Sequence, residues 1–279
     1  MISKTIAIII ILASFIGGFM MAGGSLISLW HPAELIVILG ISLGVFLAAT
    51  PVYVWKKTVV FIGRFFKGGR VDSQVFEDTL SLLDDLSRLA RKDGILSLEK
   101  HVLVPRASPI FLKYPLVLNH KELTKFISNN FSYLLLIPPT SLNFKDYLED
   151  QVEDIIQSMM EVPRATGKIA SLLPGFGIVA AVMGVILTMN LLGGDMDVAK
   201  IGISIGAALV GTLTGIFLSF GIVSPFTHAV QIMIRQDRAI FEMTISFLDA
   251  FSKGVSPKMA YEIGRQRIPA EFDLSLDRD

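Results

Sequence analysis

The chain has 279 residues, of which 52% are hydrophobic and only 18% are charged. Its 25 Lys and Arg residues balance 25 Asp and Glu residues, so net charge gives no support for a nucleic-acid partner. It contains no cysteine, which excludes disulfides, zinc–cysteine sites and thiol chemistry.

Four stretches of the chain lack Asp, Glu, Lys and Arg altogether. They hold 29, 21, 26 and 34 residues and follow Lys4, Glu34, Lys168 and Lys200 in turn. Because a transmembrane helix needs about 20 apolar residues, the stretches predict four membrane spans. No clear cleavage site follows the first stretch, so we expect a retained helix and not a signal peptide. The spans are predicted over residues 5–22, 33–54, 169–192 and 201–224.

The distribution of basic residues predicts the orientation of these spans. Sixteen Lys and Arg residues lie in segment 56–168 and seven follow Pro225, whereas the turns 23–32 and 193–200 hold one between them. Basic residues near span ends favour the cytoplasm, so both termini and the middle segment are predicted to be cytoplasmic. The predicted domains are a transmembrane hairpin (1–55), a cytoplasmic helical domain (56–168), two further spans (169–224) and a cytoplasmic C-terminal helix and tail (225–279).

The middle segment shows helical periodicity. Apolar residues recur at helical spacing over 73–92 opposite a charged face, and Gly94 predicts the end of this helix. A second amphipathic helix is predicted over 144–160, and we expect it to continue into span three near Pro163. The fold class is therefore an all-α membrane protein. It has four transmembrane helices and a large helical cytoplasmic domain between spans two and three.

Sequence motifs for catalysis are missing. The four histidines are scattered without metal-ligand spacing, and no phosphate-binding loop or nucleophile motif occurs, so the protein is not expected to be an enzyme. No span holds an ionisable residue near its centre, and the nearest acid is Glu34 at the outer mouth of span two. If the chain moves ions, another subunit must supply the titrating carboxylate. The alternative is that the spans only anchor the cytoplasmic domain.

Spans three and four carry small residues and prolines in a regular arrangement. Small faces let helices approach closely in lipid, although ordinary helix packing uses the same pattern. Pro174 removes a hydrogen bond to the Ala170 carbonyl, and Pro225 removes one to Gly221, so each marks either a hinge or a helix end. The small or hydroxyl residues predicted to share faces are Gly177, Ala181 and Gly184 in span three, and Ala208, Thr212, Gly215 and Ser219 in span four.

These residues resemble the flagellar motor stator protein family MotA, within the broader MotA, TolQ and ExbB proton-channel group. The run 208–217, followed by Pro225, is similar to the family signature. The similarity extends in order from about residue 15 to residue 267. Further matching runs lie at 23–26, 32–35, 94–99, 114–115, 161–163 and 173–184.

The resemblance implies specific partners and residue roles. Members of this family form a homo-pentamer in the bacterial inner membrane, surrounded by lipid, around two copies of MotB, which supplies the ion-binding Asp. Ion flow then drives torque on the rotor protein FliG. The implied rotor contacts are Arg91 and Glu99, and the implied torque-coupling prolines are Pro174 and Pro225. No role is implied for the tail after Arg267.

The resemblance also bears on the transported ion and the ion pathway. Thr212 falls on the hydroxyl position of span four that faces the partner's carboxylate, and Ala181 falls on the matching position of span three. Sodium-driven relatives carry hydroxyls on both spans, and a hard cation such as Na⁺ needs several oxygen ligands. Since Ala181 offers none, the ion is predicted to be H⁺, with no other cofactor or metal.

Two alternatives stay open from the sequence. The chain could be an ExbB- or TolQ-like subunit that energises an outer-membrane system, although those proteins have three spans and lack the opening hairpin. It could also be a non-conducting membrane scaffold, in which Pro174 and Thr212 would be freely replaceable.

Overall fold

A computed structural model describes residues 2–67, 73–136, 143–191 and 198–272. Every regular element in these ranges is helical, which confirms the all-α prediction. The chain divides into two compact units. The first comprises Met1–Gly69 and Met159–Ile232, and the second comprises Arg70–Ser158 and Met233–Asp279.

The first unit begins with an apolar helical hairpin. Helix α1 (Ile2–Met21) and helix α2 (Pro32–Ala49) are joined by a short 3₁₀ turn, Leu26–Leu29. The predicted end of span two near residue 54 is wrong, because α2 ends at Ala49. Thr50 is extended (φ −131°, ψ 144°), as expected for a residue that precedes a proline.

Helix α3 (Val52–Phe66) starts directly after Pro51 and was not predicted. Trp55 Nε1 donates to Thr50 Oγ1 at 2.8 Å, which fixes the corner between α2 and α3. The helix carries cations beside its aromatic rings, with Lys57 Nζ lying 5.8 Å from the centre of the Tyr53 ring. Basic and aromatic residues are thus mixed along α3 in the pattern of a membrane-interface segment.

Two long helices, α8 (Phe144–Leu191) and α10 (Ser224–Ser252), each have residues in both units. Helix α8 (Phe144–Leu191) is a single 48-residue helix that contains Pro163 and Pro174, so the predicted continuation into span three is confirmed. Helix α9 (Val198–Phe217) is followed by a six-residue π-helical segment, Leu218–Val223. Helix α10 (Ser224–Ser252) then continues into the second unit.

Three helical stretches among the described residues are long and apolar enough to cross a membrane. They are Leu26–Ala49, Phe144–Met189 and Ile205–Ser252, and the apolar part of α1, Thr5–Met21, is shorter. The chain is therefore a membrane protein. The predicted outer turn 193–200 lies mostly outside the described residues, which resume at Val198.

The second unit is a helical bundle. Helix α4 (Ser73–Asp93) matches the predicted helix, and Gly94 follows it at φ +85°, a backbone conformation that favours glycine. The core of the second unit includes the fully buried rings of Phe76, Phe131 and Phe247. The remaining helices are α5 (Glu99–Val102), α6 (Pro115–Asn119), α7 (Lys121–Leu136) and α11 (Pro257–Arg265).

The Tyr114–Pro115 pair has a structural role in this bundle. The Tyr114 hydroxyl donates to Asp85 Oδ2 of α4 at 3.1 Å, and Pro115 is the first residue of α6, where its missing N–H costs no helical bond. Burial, and to a smaller extent the carboxylate of Asp85, raises the pKa of Tyr114 to about 12. The tyrosine therefore remains a hydrogen-bond donor at physiological pH.

Candidate functional site

Helices α8 and α9 meet along a seam of residues with little or no side chain. A Cβ atom added to Gly215 would lie 2.7 Å from the Leu173 carbonyl oxygen and 2.9 Å from Gly177 Cα. A Cβ atom added to Gly177 would lie 2.8 Å from the Gly211 carbonyl oxygen. Only glycine allows backbones to approach this closely, so the seam depends on Gly177 and Gly215.

The seam continues through Ala180 and Gly184, toward the C-terminal end of α8. A Cβ atom on Gly184 would lie 3.1 Å from the Ala208 Cβ atom. Ala180 is only 2% exposed, whereas Ala181 is half-buried. The packed part of this face therefore includes Ala180 together with Gly177 and Gly184, and Ala181 lies on the other flank of the same face.

Ala181 and Thr212 lie at the edge of the seam. Both are half-buried, and Thr212 Cα lies 3.2 Å from the position of a Cβ on Gly177, one helical turn before Ala181. Within the described part of the chain, the Thr212 hydroxyl makes no hydrogen bond. A threonine in a helix usually bonds a carbonyl one turn earlier, so this hydroxyl is available to an additional helix.

Pro174 leaves one backbone carbonyl of α8 without its helical donor, and a side chain of the π-helical segment after α9 bonds this carbonyl. Pro174 cannot donate to the Ala170 carbonyl, and the Ser219 hydroxyl donates to that oxygen instead, at 2.6 Å. Ser219 is 1% exposed, so this bond is sealed from solvent. A hydroxyl from a neighbouring helix commonly satisfies a carbonyl that proline leaves free inside a membrane. The spacing of small residues predicts the helix face on which Ser219 lies, but no sequence signal predicts this bond.

Pro225 follows the π-helical segment that contains Ser219. The Ser224 N–H donates to the Ser219 carbonyl, five residues back, just before Pro225 leaves the Gly221 carbonyl without its helical donor. Pro225 is exposed and lines an apolar crevice of about 1030 Å³ in the first unit. Ser219 thus connects the two prolines. It lies in the π-helical turn before Pro225, and its hydroxyl bonds the Ala170 carbonyl that Pro174 leaves free.

The side chain of Glu34, predicted to lie at the outer mouth of span two, is also close to this site. A Cβ atom on Gly211 would lie 3.0 Å from Glu34 Oε2 and 3.3 Å from Ala180 Cβ. The carboxyl group therefore contacts the α9 backbone beside Thr212. No sequence pattern predicts this contact, because it joins the start of α2 to the interior of α9.

The two implied rotor contacts differ in their surroundings. Glu99 is the first residue of α5, is exposed, and its side chain has no ion-pair partner among the described residues. The Arg91 guanidinium instead donates to the carbonyl oxygens of Gly254 (2.5 Å) and Val255 (2.8 Å). Arg91 therefore also stabilises the turn after α10, where Gly254 has φ +79°.

The described residues contain no cluster of His, Asp or Glu side chains that could hold a metal ion. What the geometry offers is a tightly packed helix pair with carbonyls that prolines leave without a helical donor, the Thr212 hydroxyl at its edge, and the half-buried carboxyl group of Glu34. Such an arrangement suits ion passage and helix movement in a membrane.

Comparisons with known sequences identify the family. A profile described as "Motility protein A N-terminal" matches residues 5–94, and one described as "MotA/TolQ/ExbB proton channel family" matches residues 120–243. The first match contains the α1–α2 hairpin. The family is a channel family, in agreement with the prediction that the protein is not an enzyme.

Two curated relatives and two solved structures support the same assignment. Chemotaxis protein LafT of Vibrio parahaemolyticus is 32% identical over 275 residues, covering 99% of this chain and 96% of the relative. Motility protein A of Escherichia coli is 32% identical over 263 residues, covering 93% and 88%.

The fold is similar to that of C. jejuni MotAB (TM-score 0.74, 17% identity, 96% of each chain). It is also similar to the flagellar MotAB stator complex from Bacillus subtilis (TM-score 0.73, 21% identity, 98% of each chain). With relatives above 30% identity over nearly its full length, this chain belongs to the motility protein A family.

Proposed function

We propose that this chain is the channel-forming stator subunit of a bacterial flagellar motor, and that with a MotB-like partner it converts proton motive force into torque. The observation that carries the proposal is the open Thr212 hydroxyl at the edge of the α8–α9 seam, in a chain whose spans lack a central carboxylate. The partner helix lies along this edge and contributes the Asp that binds the ion. Ala181 faces the same helix from α8.

The assembly is a homo-pentamer around two partner chains in the inner membrane, with lipid around its outer helices. Each subunit crosses the membrane four times, through α1, α2, the second half of α8, and α9. Both termini are cytoplasmic, as the excess of Lys and Arg in segment 56–168 and after Pro225 supports. The domains are those given by residues 1–55, 56–168, 169–224 and 225–279.

Torque arises from movement near the two prolines. Protonation of the partner's carboxylate changes its contact with Thr212, and α8 bends where Pro174 leaves the helical ladder open. Ser219 couples that point to the π-helical turn before Pro225. Because α8 continues without a break to Phe144, bending is carried along the helix toward the cytoplasmic domain that contacts FliG.

A complementation experiment tests the proposal. A strain that lacks its own stator genes receives this chain together with the MotB-like protein from the same source. We expect swimming to be restored by the pair, and by neither chain alone, while replacing the partner's ion-binding Asp with Asn abolishes swimming. Swimming that persists with the Asn variant would contradict the proposed ion pathway.

The rotor contact is tested by charge reversal at Glu99. We expect Glu99→Lys to reduce swimming modestly, because exposed ion pairs are worth about 1 kcal/mol or less, and a compensating reversal on the rotor protein should restore it. Arg91→Glu should be rescued less completely, since it also places a carboxylate beside the Gly254 and Val255 carbonyl oxygens. Swimming speed on soft agar and in liquid is the measurement.

Glu271→Lys is the matched control for these reversals. Phe272 stacks on Phe76 in the first turn of α4, so Glu271 lies at the opposite end of that helix from Arg91. We expect this control to swim normally. If no rotor substitution rescues Glu99→Lys while the complex assembles normally, the electrostatic contact does not exist.

The transported ion is expected to be H⁺. At this edge the helices α8 and α9 themselves contribute one side-chain oxygen, that of Thr212, because Gly211 and Ala181 carry none, whereas a dehydrated Na⁺ needs several oxygen ligands from its surroundings. Swimming should persist in sodium-free medium and with the sodium-channel blocker phenamil, and it should stop with a protonophore. Loss of motility on removal of Na⁺ alone would contradict this prediction.

A further inference from the structure

Glu34 is the one acid within the apolar spans, and its side chain is packed against another helix. Its Oε2 atom is buried and has no hydrogen-bond partner among the described residues. It lies beside Gly211 of α9, since a Cβ atom added there would be 3.0 Å from Oε2. Ile38, one turn further along α2, is fully buried in a cluster with Leu173 and Ala180, so α2 holds the carboxyl group at this position.

Gly211 provides the space for this carboxyl group. Any side chain at position 211 would place its Cβ 3.0 Å from Glu34 Oε2, closer than nearly all natural contacts. The contact also lies well inside the first unit, because Gly211 is about 20 Å along α9 from its first residue, Val198. The carboxyl group thus reaches the backbone position directly before Thr212.

The electrostatic surroundings of Glu34 are simple. Residues 169–191 of α8 and 201–217 of α9 contain no titratable side chain, and α2 contains no other. His31, three residues earlier, is close enough to interact with Glu34 electrostatically, and its Nε2 lies 3.1 Å from the Ser28 carbonyl oxygen. His31 is thus the only titratable neighbour of Glu34 in these described segments, and it lies on the side of the 3₁₀ turn Leu26–Leu29.

A carboxylate in such surroundings is costly when charged and inexpensive when protonated. Burial of an unpaired charge is avoided in proteins, and ionisable groups within spans commonly mark ion or proton routes. A carboxyl group at this position can bind and release a proton, which an amide of the same size cannot do. A purely structural side chain would not need this property, and glutamine would serve equally well.

We propose that Glu34 is a second proton-binding group of the complex, which accepts protons from the outer side and passes them, through water, toward the partner's carboxylate beside Thr212. This inference rests on the proposed stator function. It assigns to α2 a part in the ion pathway, in addition to the parts of α8 and α9. Glu34 acts by binding the transported ion, while the partner's Asp remains the group whose protonation drives movement.

The test compares Glu34→Gln, Glu34→Asp and wild type in the complete complex with its partner. Single-motor speed is measured over a series of external pH values at constant membrane potential. We expect Glu34→Gln to assemble normally but to lose speed most at alkaline external pH, where protons are scarce, which shifts the speed curve toward acid pH. The speed curve of Glu34→Asp should lie between those of wild type and Glu34→Gln. The control Glu271→Gln changes an exposed carboxyl group of the cytoplasmic domain and should match wild type.

A direct measurement uses dicyclohexylcarbodiimide, which reacts with protonated carboxyl groups in apolar surroundings. Mass spectrometry should find Glu34 labelled at acid external pH and less labelled at alkaline pH. The inference is overturned if Glu34→Gln matches wild type at every pH in cells that rotate, or if Glu34 is not labelled at acid pH. If the wild-type pair does not drive rotation at all, the proposed function itself is wrong.

Discussion

Replacing Pro174 with leucine is expected to abolish motility while leaving membrane insertion and assembly with the partner intact. Leucine restores the backbone N–H that can bond the Ala170 carbonyl, and it keeps the span apolar, so only the break in the helical ladder is lost. The new bond would also compete with the Ser219 hydroxyl, which now holds that oxygen at 2.6 Å. The variant should be dominant negative, because inactive subunits still enter the ring.

Pro163→Leu is the matched control, because Pro163 is the other proline inside α8. We expect this control to retain motility. Ser219→Ala should reduce motility less than Pro174→Leu, since a hydrogen bond between membrane helices is worth about 0.6–2 kcal/mol. Normal swimming of Pro174→Leu in a strain without the native gene would mean that the proline has no part in torque.

The second large effect is expected from Gly215→Ala, which should weaken the packing of α8 against α9 and destabilise the protein. The added Cβ would lie 2.7 Å from the Leu173 carbonyl oxygen and 2.9 Å from Gly177 Cα, and backbone atoms cannot move aside as a side chain can. Overpacking typically costs about 1–3 kcal/mol, and contacts with backbone should reach the upper end. The measurements are the amount of protein in the membrane and its thermal stability in detergent.

Gly206→Ala supplies the control within the same helix. It makes the same chemical change, but its Cβ would meet no atom within 4 Å in the described chain. We expect Gly206→Ala to be as stable as wild type. Equal stability of both variants would show that the α8–α9 seam is looser than the distances indicate.

The sequence correctly predicted features that depend on the residues of a single helix. The apolar periodicity of 73–92 predicted α4 within one residue, and Gly94 ended it as expected. Composition alone found the membrane stretches, because the helices of soluble proteins rarely contain so long a run without charge. The end of α2 was missed because residues 50–54 are as apolar as a span, and only the Thr50–Pro51 step breaks the helix.

The contacts at the candidate site could not be predicted in this way, since they join distant parts of the chain. The Ser219–Ala170 bond spans 49 positions, and the pairing depends on how α8 and α9 are aligned. The same alignment makes Ala180 the packed residue and leaves Ala181 at the edge. Similarly, the bonds from Arg91 to Gly254 and Val255 arise only when the end of α10 meets α4. Charge pattern alone would describe Arg91 as a free surface cation.

The central claim is that this chain uses proton motive force to turn a rotor, and single-motor recordings test it most directly. Expression of the chain with its partner is induced in cells that have flagella but no stator, while a bead on a filament stub reports rotation. We predict that speed rises in discrete steps as individual complexes join the motor, and that a protonophore stops rotation reversibly. A bead that stays unpowered while both chains are assembled in the membrane, or one that keeps turning under the protonophore, would contradict the account.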